Sequence, residues 1–73
     1  ERTRRRVARR QARARDDLDR AVLEMAAGRW QESEQLATRT AGSAVSPATH
    51  WLLAARAADL QGAVERRNDW LAR

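Results

Sequence analysis

The chain has 73 residues, enough for one small domain, and a chain of this size buries only about 60% of its unfolded surface. It contains no cysteine, which excludes disulfides, thiolate metal sites, iron–sulfur clusters and thiol nucleophiles. All fifteen basic residues are arginine and they are unevenly spread: residues 1–15 hold eight against Glu1 alone, a net of +7, while residues 16–73 hold seven against nine acids, a net of −2.

Alanine, leucine, arginine, glutamine and glutamate dominate, and β-branched and aromatic residues are scarce, so the chain is read as all-α. Residues 1–15 form a basic helical arm. Its arginines Arg2, Arg4, Arg5, Arg6, Arg9, Arg10 and Arg13 are candidate contacts to nucleic-acid phosphates or to anionic lipid head groups. The arm has no interleaved aromatics and no leucine-zipper heptads follow it. That favours a membrane-proximal segment over a nucleic-acid-binding module, with a solvated helix face as the plain alternative.

The body occupies residues 16–73. A first helix, predicted near residues 5–27, carries Leu18, Ala21, Val22 and Met25 at helical spacing and stops at Gly28. A second, near 30–43, carries Trp30, Ser33, Leu36, Ala37, Thr40 and Ala41 on one side and ends at Gly42-Ser43. Ser46, as a capping oxygen, and Pro47, at the first helical position, start a third near 47–61. Its stripe is Ala48, Trp51, Leu52, Ala55 and Ala58, and Leu53, Ala54, Ala57 and Leu60 flank it, so it should be covered on more than one side. Gly62 ends it, and a fourth helix near 64–72 carries Val64, Trp70 and Leu71. Core packing is expected of Trp30, Trp51 and Met25.

A shift of 34 residues lays one half on the other. Leu18 meets Leu52, Ala21 meets Ala55, Gly28 meets Gly62, Leu36 meets Trp70 and Ala37 meets Leu71. A helix–turn–helix unit of about 34 residues is the period of tetratricopeptide (TPR) repeats. Ser33 and Arg67 stand where that pattern usually has alanine. The expected architecture is two TPR-like hairpins made of four helices, the second hairpin truncated. Repeat geometry nominates Arg15, Asp19, Arg56 and Asp59, on the first helix of each hairpin, as candidates for a partner groove. Solenoids of this kind usually need about three repeats. Val64, Trp70 and Leu71 are therefore predicted to face water where a further repeat would stack, and self-association through that face is predicted.

Three segments carry a more specific likeness: "RTRRRVARRQARAR", "LEMAAGRWQESEQL" and "WLLAARAADLQGAVERRNDWL". Together they resemble the HemY family of bacterial haem-biosynthesis-associated proteins, over nearly the whole chain. The resemblance implies a region that follows two transmembrane helices and opens a cytoplasmic TPR array. It implies a place at the cytoplasmic face of the bacterial inner membrane, a link to late protohaem synthesis, and haem-biosynthesis enzymes as polypeptide partners. It carries no catalytic residue over to this chain. The start at Glu1 and the stop within a helical run read as a piece of a longer protein.

No cofactor, metal site or catalytic set is predicted. His50 and Met25 are haem-ligand types, but no Cys-x-x-Cys-His attachment site exists. A surface or partly packed histidine and a core methionine account for them. Asp16, Asp17 and Asp19 lie beside the arginine run, where local ion pairing accounts for them better than a catalytic carboxylate pair does.

Overall fold

The computed structural model describes residues 2–73 and is helical throughout, with no strand among the described residues. Four helices follow in order: α1 (Arg2–Ala26), α2 (Trp30–Arg39), α3 (Pro47–Leu60) and α4 (Val64–Leu71), with one 3₁₀ turn at Ala41–Ser43 between α2 and α3. Consecutive helices pack as antiparallel hairpins, and α2 also packs on α3, joining the two.

The hairpin turns repeat bond for bond at the 34-residue shift. Gly28 and Gly62 have φ of 80° and 77°, a left-handed conformation that glycine adopts without a Cβ penalty. In the first turn, the Arg29 N–H donates to Glu24 O at 2.9 Å and the Gly28 N–H to Met25 O at 3.0 Å. In the second, the Ala63 N–H donates to Ala58 O and the Gly62 N–H to Asp59 O, both at 2.9 Å. This is the Schellman arrangement, which satisfies the carbonyls that a helix end leaves open. A second equivalence links the helix ends: Arg39 reaches Asp17 in the first hairpin. Its 34-shift counterpart Arg73 lies 5.1 Å from the ring of Trp51, the counterpart of Asp17.

The core is built of alanine. Ala14, Ala21, Ala37, Ala41, Ala54, Ala57 and Ala58 are fully buried, with Ala55 and Leu36 nearly so. Small side chains let the backbones approach closely but bury little apolar area each. The largest fully buried side chains are polar, Asp17 and Ser33. Ser33 explains its own departure from alanine: its hydroxyl donates to Ala21 O at 2.7 Å and ties α2 to α1.

Several expectations are corrected here. The first helix is already formed at Arg2, earlier than the expected start near residue 5, while the expected helical arm does continue unbroken into the body, where Ala14 is the first buried residue. The second helix ends at Arg39, four residues early, because the Thr40 hydroxyl turns back to Asp17 at 3.0 Å. Ser46 makes no capping bond with its side chain. Trp30 is exposed at the start of α2, Met25 is only half-buried, and Leu52 is 61% exposed on the outer side of α3. Trp51 is half-buried rather than core.

The predicted open face divides. Val64 and Leu71 are 49% and 55% exposed, as expected. Trp70 does not face water. It is half-buried in its own chain, stacks on Trp51 with ring centroids 5.4 Å apart, and donates its indole N–H to Glu34 at 2.8 Å. An indole needs both an apolar surface and a hydrogen-bond acceptor, and this chain supplies both.

Candidate functional site

The first helices of the two hairpins, α1 and α3, form an open groove of ≈ 580 Å³ that residues 44–46 also line. Leu18, Val22, Val45 and Leu53 give it apolar walls, and Gln11, Arg15, Asp19 and Thr49 add polar groups. His50 also lines it and is 2% exposed, not the surface or partly packed residue expected. Its Nε2 lies 2.9 Å from Ala14 O. A carbonyl can only accept, so Nε2 is the donor in this bond; Nδ1 has no partner among the described residues.

Of the four predicted groove residues, Arg15 and Asp19 line this groove and form an ion pair with each other at 3.7 Å, both largely exposed. Arg56 and Asp59 do not line it. They pair with each other at 3.4 Å, and Asp59 also accepts from Arg67 of α4 at 2.8 Å, which turns them to the α3–α4 side. Equivalence under the repeat places residues on equivalent helices but does not say which side the next hairpin leaves open.

The basic arm is exposed along residues 2–13. At about 100° per residue, Arg2, Arg5, Arg6, Arg9, Arg10 and Arg13 fall within an arc of about 140°, whereas Arg4 and Arg15 fall on the other side of the helix. The seven arm candidates thus resolve into one charged face of six and Arg4, which belongs with the groove side. No helix among the described residues is long and apolar enough to cross a membrane. No group of His, Asp or Glu among them is placed to hold a metal ion.

Two carboxylates hold the helices in place: Asp17, expected to pair locally, and Glu34, which the residue-type reading did not single out. Asp17 accepts two N–H bonds from Arg39, at 2.8 and 2.9 Å, and the Thr40 hydroxyl. Glu34 is 7% exposed and accepts from Arg66 at 3.0 and 3.1 Å, from Gln61 at 2.8 Å and from Trp70 at 2.8 Å. The signal for Asp17 was its place between Ala14 and Ala21 on one seam of α1. Its partner, however, stands 22 residues away, so local pairing describes Asp19 but not Asp17.

The Arg39 hydrogen bonds hold the Asp17 carboxyl below the ordinary carboxylate range against burial, which pushes it up, and Thr40 adds to the depression. For Glu34, burial is the largest influence and pushes upward, but the bonds from Arg66, Trp70 and Gln61 together outweigh it and its carboxyl is also lowered. A lowered folded-state value means that the unfolded chain binds more protons as pH falls. The stabilisation is therefore complete above the unfolded carboxylate range, at about pH 5, and is lost as the pH falls through the lower folded values. Thermal melts followed by circular dichroism should be flat from pH 7 to about pH 5 and fall steeply below it. The double variant Asp17→Asn, Glu34→Gln should melt lower at neutral pH with a much shallower acid slope. An unchanged slope would place the acid sensitivity elsewhere.

Comparison with known proteins adds a family. The family described as HemY protein N-terminus matches residues 1–62. The chain is 39% identical over 67 residues to the protein HemY of Escherichia coli strain K12, and equally to those of E. coli O157:H7 and Shigella flexneri. Each alignment covers 92% of this chain and 17% of the relative, so the chain spans about a sixth of the relatives' length. No solved structure matches it.

Proposed function

The chain belongs to the HemY family, and on that premise we propose that it is a TPR-type scaffold segment that offers the α1–α3 groove to partner polypeptides. The parent protein is anchored at the cytoplasmic face of the bacterial inner membrane and associated with haem biosynthesis, with enzymes of that synthesis as the partners. The six-arginine face of α1 lies toward the anionic membrane surface. The chain itself performs no catalysis.

The observation that carries the reading is the groove: two successive first helices, related by a 34-residue repeat of turn geometry, leave between them a channel with apolar walls and a few polar groups. Concave apolar surfaces with a few placed polar groups are where proteins hold ligands, and an alanine core keeps the two helices close enough to form one channel. Val22 is 51% exposed on the groove side of α1 and Leu23 is 67% exposed beside it, where helical geometry turns it away. A photo-crosslinking amino acid at Val22 of the full-length protein in cells should therefore capture polypeptides, including haem-synthesis enzymes, and the same group at Leu23 should not. Equal capture at both positions, or none at Val22, would remove the groove as the partner site.

A further inference from the structure

We propose that the α1–α3 groove selects a polypeptide segment in which apolar side chains adjoin acidic ones. The apolar residues seat on Leu18, Val22 and Leu53, and the acidic residues lie toward Arg15 and Arg4. This rests on the reading of the groove as a partner site and adds the chemistry of what enters it.

The groove is asymmetric along its length. The start of α3 meets α1 near Ala14, where His50 is bonded, and further along α3 Leu53 packs against the cluster that contains Ala21. One end is therefore the polar Gln11–Arg15–Thr49 end and the other the apolar Leu18–Val22–Leu53 end. Beyond the polar end, α1 runs on as the arm. Arg4 precedes Arg15 by three helical turns, about 16 Å, and so continues the same side of the helix. Arg4 faces with the groove and not with the six-arginine face.

Acid is scarce at that end. Residues 44–58, which form the opposite wall and the loop before it, contain no aspartate or glutamate. The single acid lining the groove is Asp19, held to Arg15 at 3.7 Å with the two side chains 67% and 79% exposed. Exposed pairs of this kind are weak, so an incoming carboxylate can replace Asp19 at Arg15 at small cost. An apolar floor gives a side chain a place to leave water, which a phosphate chain would not use. Affinity then comes from the apolar end, and selectivity from Arg15 and Arg4.

The test uses the full-length protein in detergent and fluorescent 12-residue peptides carrying a leucine-rich block next to a glutamate block, in both orders. Counterpart peptides have glutamine for glutamate, or serine for leucine. Fluorescence anisotropy should show binding of the leucine–glutamate peptide in one order. Loss of the two charge pairs should weaken the glutamine counterpart about ten-fold. The serine counterpart and the variant Val22→Arg should abolish binding. The pair Arg4→Glu, Arg15→Glu should erase the preference for glutamate, while Arg5→Gln, Arg6→Gln, Arg9→Gln leaves it in place.

If the glutamate and glutamine peptides bind alike and Val22→Arg still abolishes both, the acidic preference is wrong and the groove reading stands. If binding survives the serine block but is lost with Arg5, Arg6 and Arg9, the arm attracts the peptide and the proposal is overturned. No peptide binding beside persistent crosslinks at Val22 would also overturn it, and absence of both would remove the groove reading itself.

Discussion

Replacing Glu34 with alanine is expected to release α4 from the rest of the chain. That helix has eight residues and none of them is fully buried. Its polar attachment to α2 runs through one carboxylate, which accepts from Arg66 and Trp70 of α4 and from Gln61 in the turn before it. Hydrogen bonds to a charged group are worth about 1.5–3 kcal/mol each when made, but the freed donors are at the surface and water recovers part of that. The expected loss is about 2–4 kcal/mol, against roughly 4–10 kcal/mol for a domain of this size. Glu34→Gln keeps the shape and can still accept from Trp70, so it should fall between. Urea unfolding gives the size of the loss, and hydrogen exchange locates it: amides of α4 should lose protection while α1 and α2 keep theirs. Trp51 and Trp70 would separate and join Val64 and Leu71 as exposed apolar surface, so sedimentation should show more association than in the parent chain. Unchanged protection of α4 in Glu34→Ala would mean that its packing on α3 suffices.

The features that could be read from the residues are those decided locally. Gly28 and Gly62 mark helix ends because a left-handed residue is needed there and nothing else is needed to see it. The all-α class follows from composition, and the seam of alanines from spacing. What could not be read depends on residues far apart in the chain. Asp17 is held by Arg39 and Thr40, and Glu34 by groups 27 to 36 residues on. Both look like ordinary acids on ordinary helix faces until the hairpins are closed. The same holds for His50, whose partner Ala14 O is 36 residues away. The groove was half legible: Arg15 and Asp19 line it, but Asp59 is taken by Arg67, a pairing that the repeat gave no reason to expect. Trp70 departs from expectation because an apolar stripe at the edge of a repeat looks unpartnered in sequence, whereas Glu34 and Trp51 partner it.

The arm should bind anionic membranes through one face only. Arg2, Arg5, Arg6, Arg9, Arg10 and Arg13 cover about 17 Å of exposed helix within an arc of about 140°, so a flat negative surface can meet all six together. Each arginine near such a surface contributes about 1 kcal/mol. Changing all six to glutamine should therefore cost up to roughly 6 kcal/mol, about four orders of magnitude in partitioning. Arg4→Gln alone should have little effect, because that side chain faces the groove side. Co-sedimentation with vesicles, with and without anionic lipid, reads the result. Binding should appear only on anionic vesicles and weaken as salt rises, since exposed charges are screened over about 10 Å at 0.1 M salt. Equal binding to neutral vesicles would defeat the electrostatic account, because the exposed half of α1 offers little beyond Val7 to insert into lipid. Duplex DNA tests the other reading of the same charges. Phosphate contacts also weaken with salt, so salt dependence alone does not separate the two. Sequence-selective duplex binding that survives physiological salt, lost with the six-glutamine variant and tighter than binding to anionic vesicles, would turn the arm into a nucleic-acid contact and overturn its membrane role.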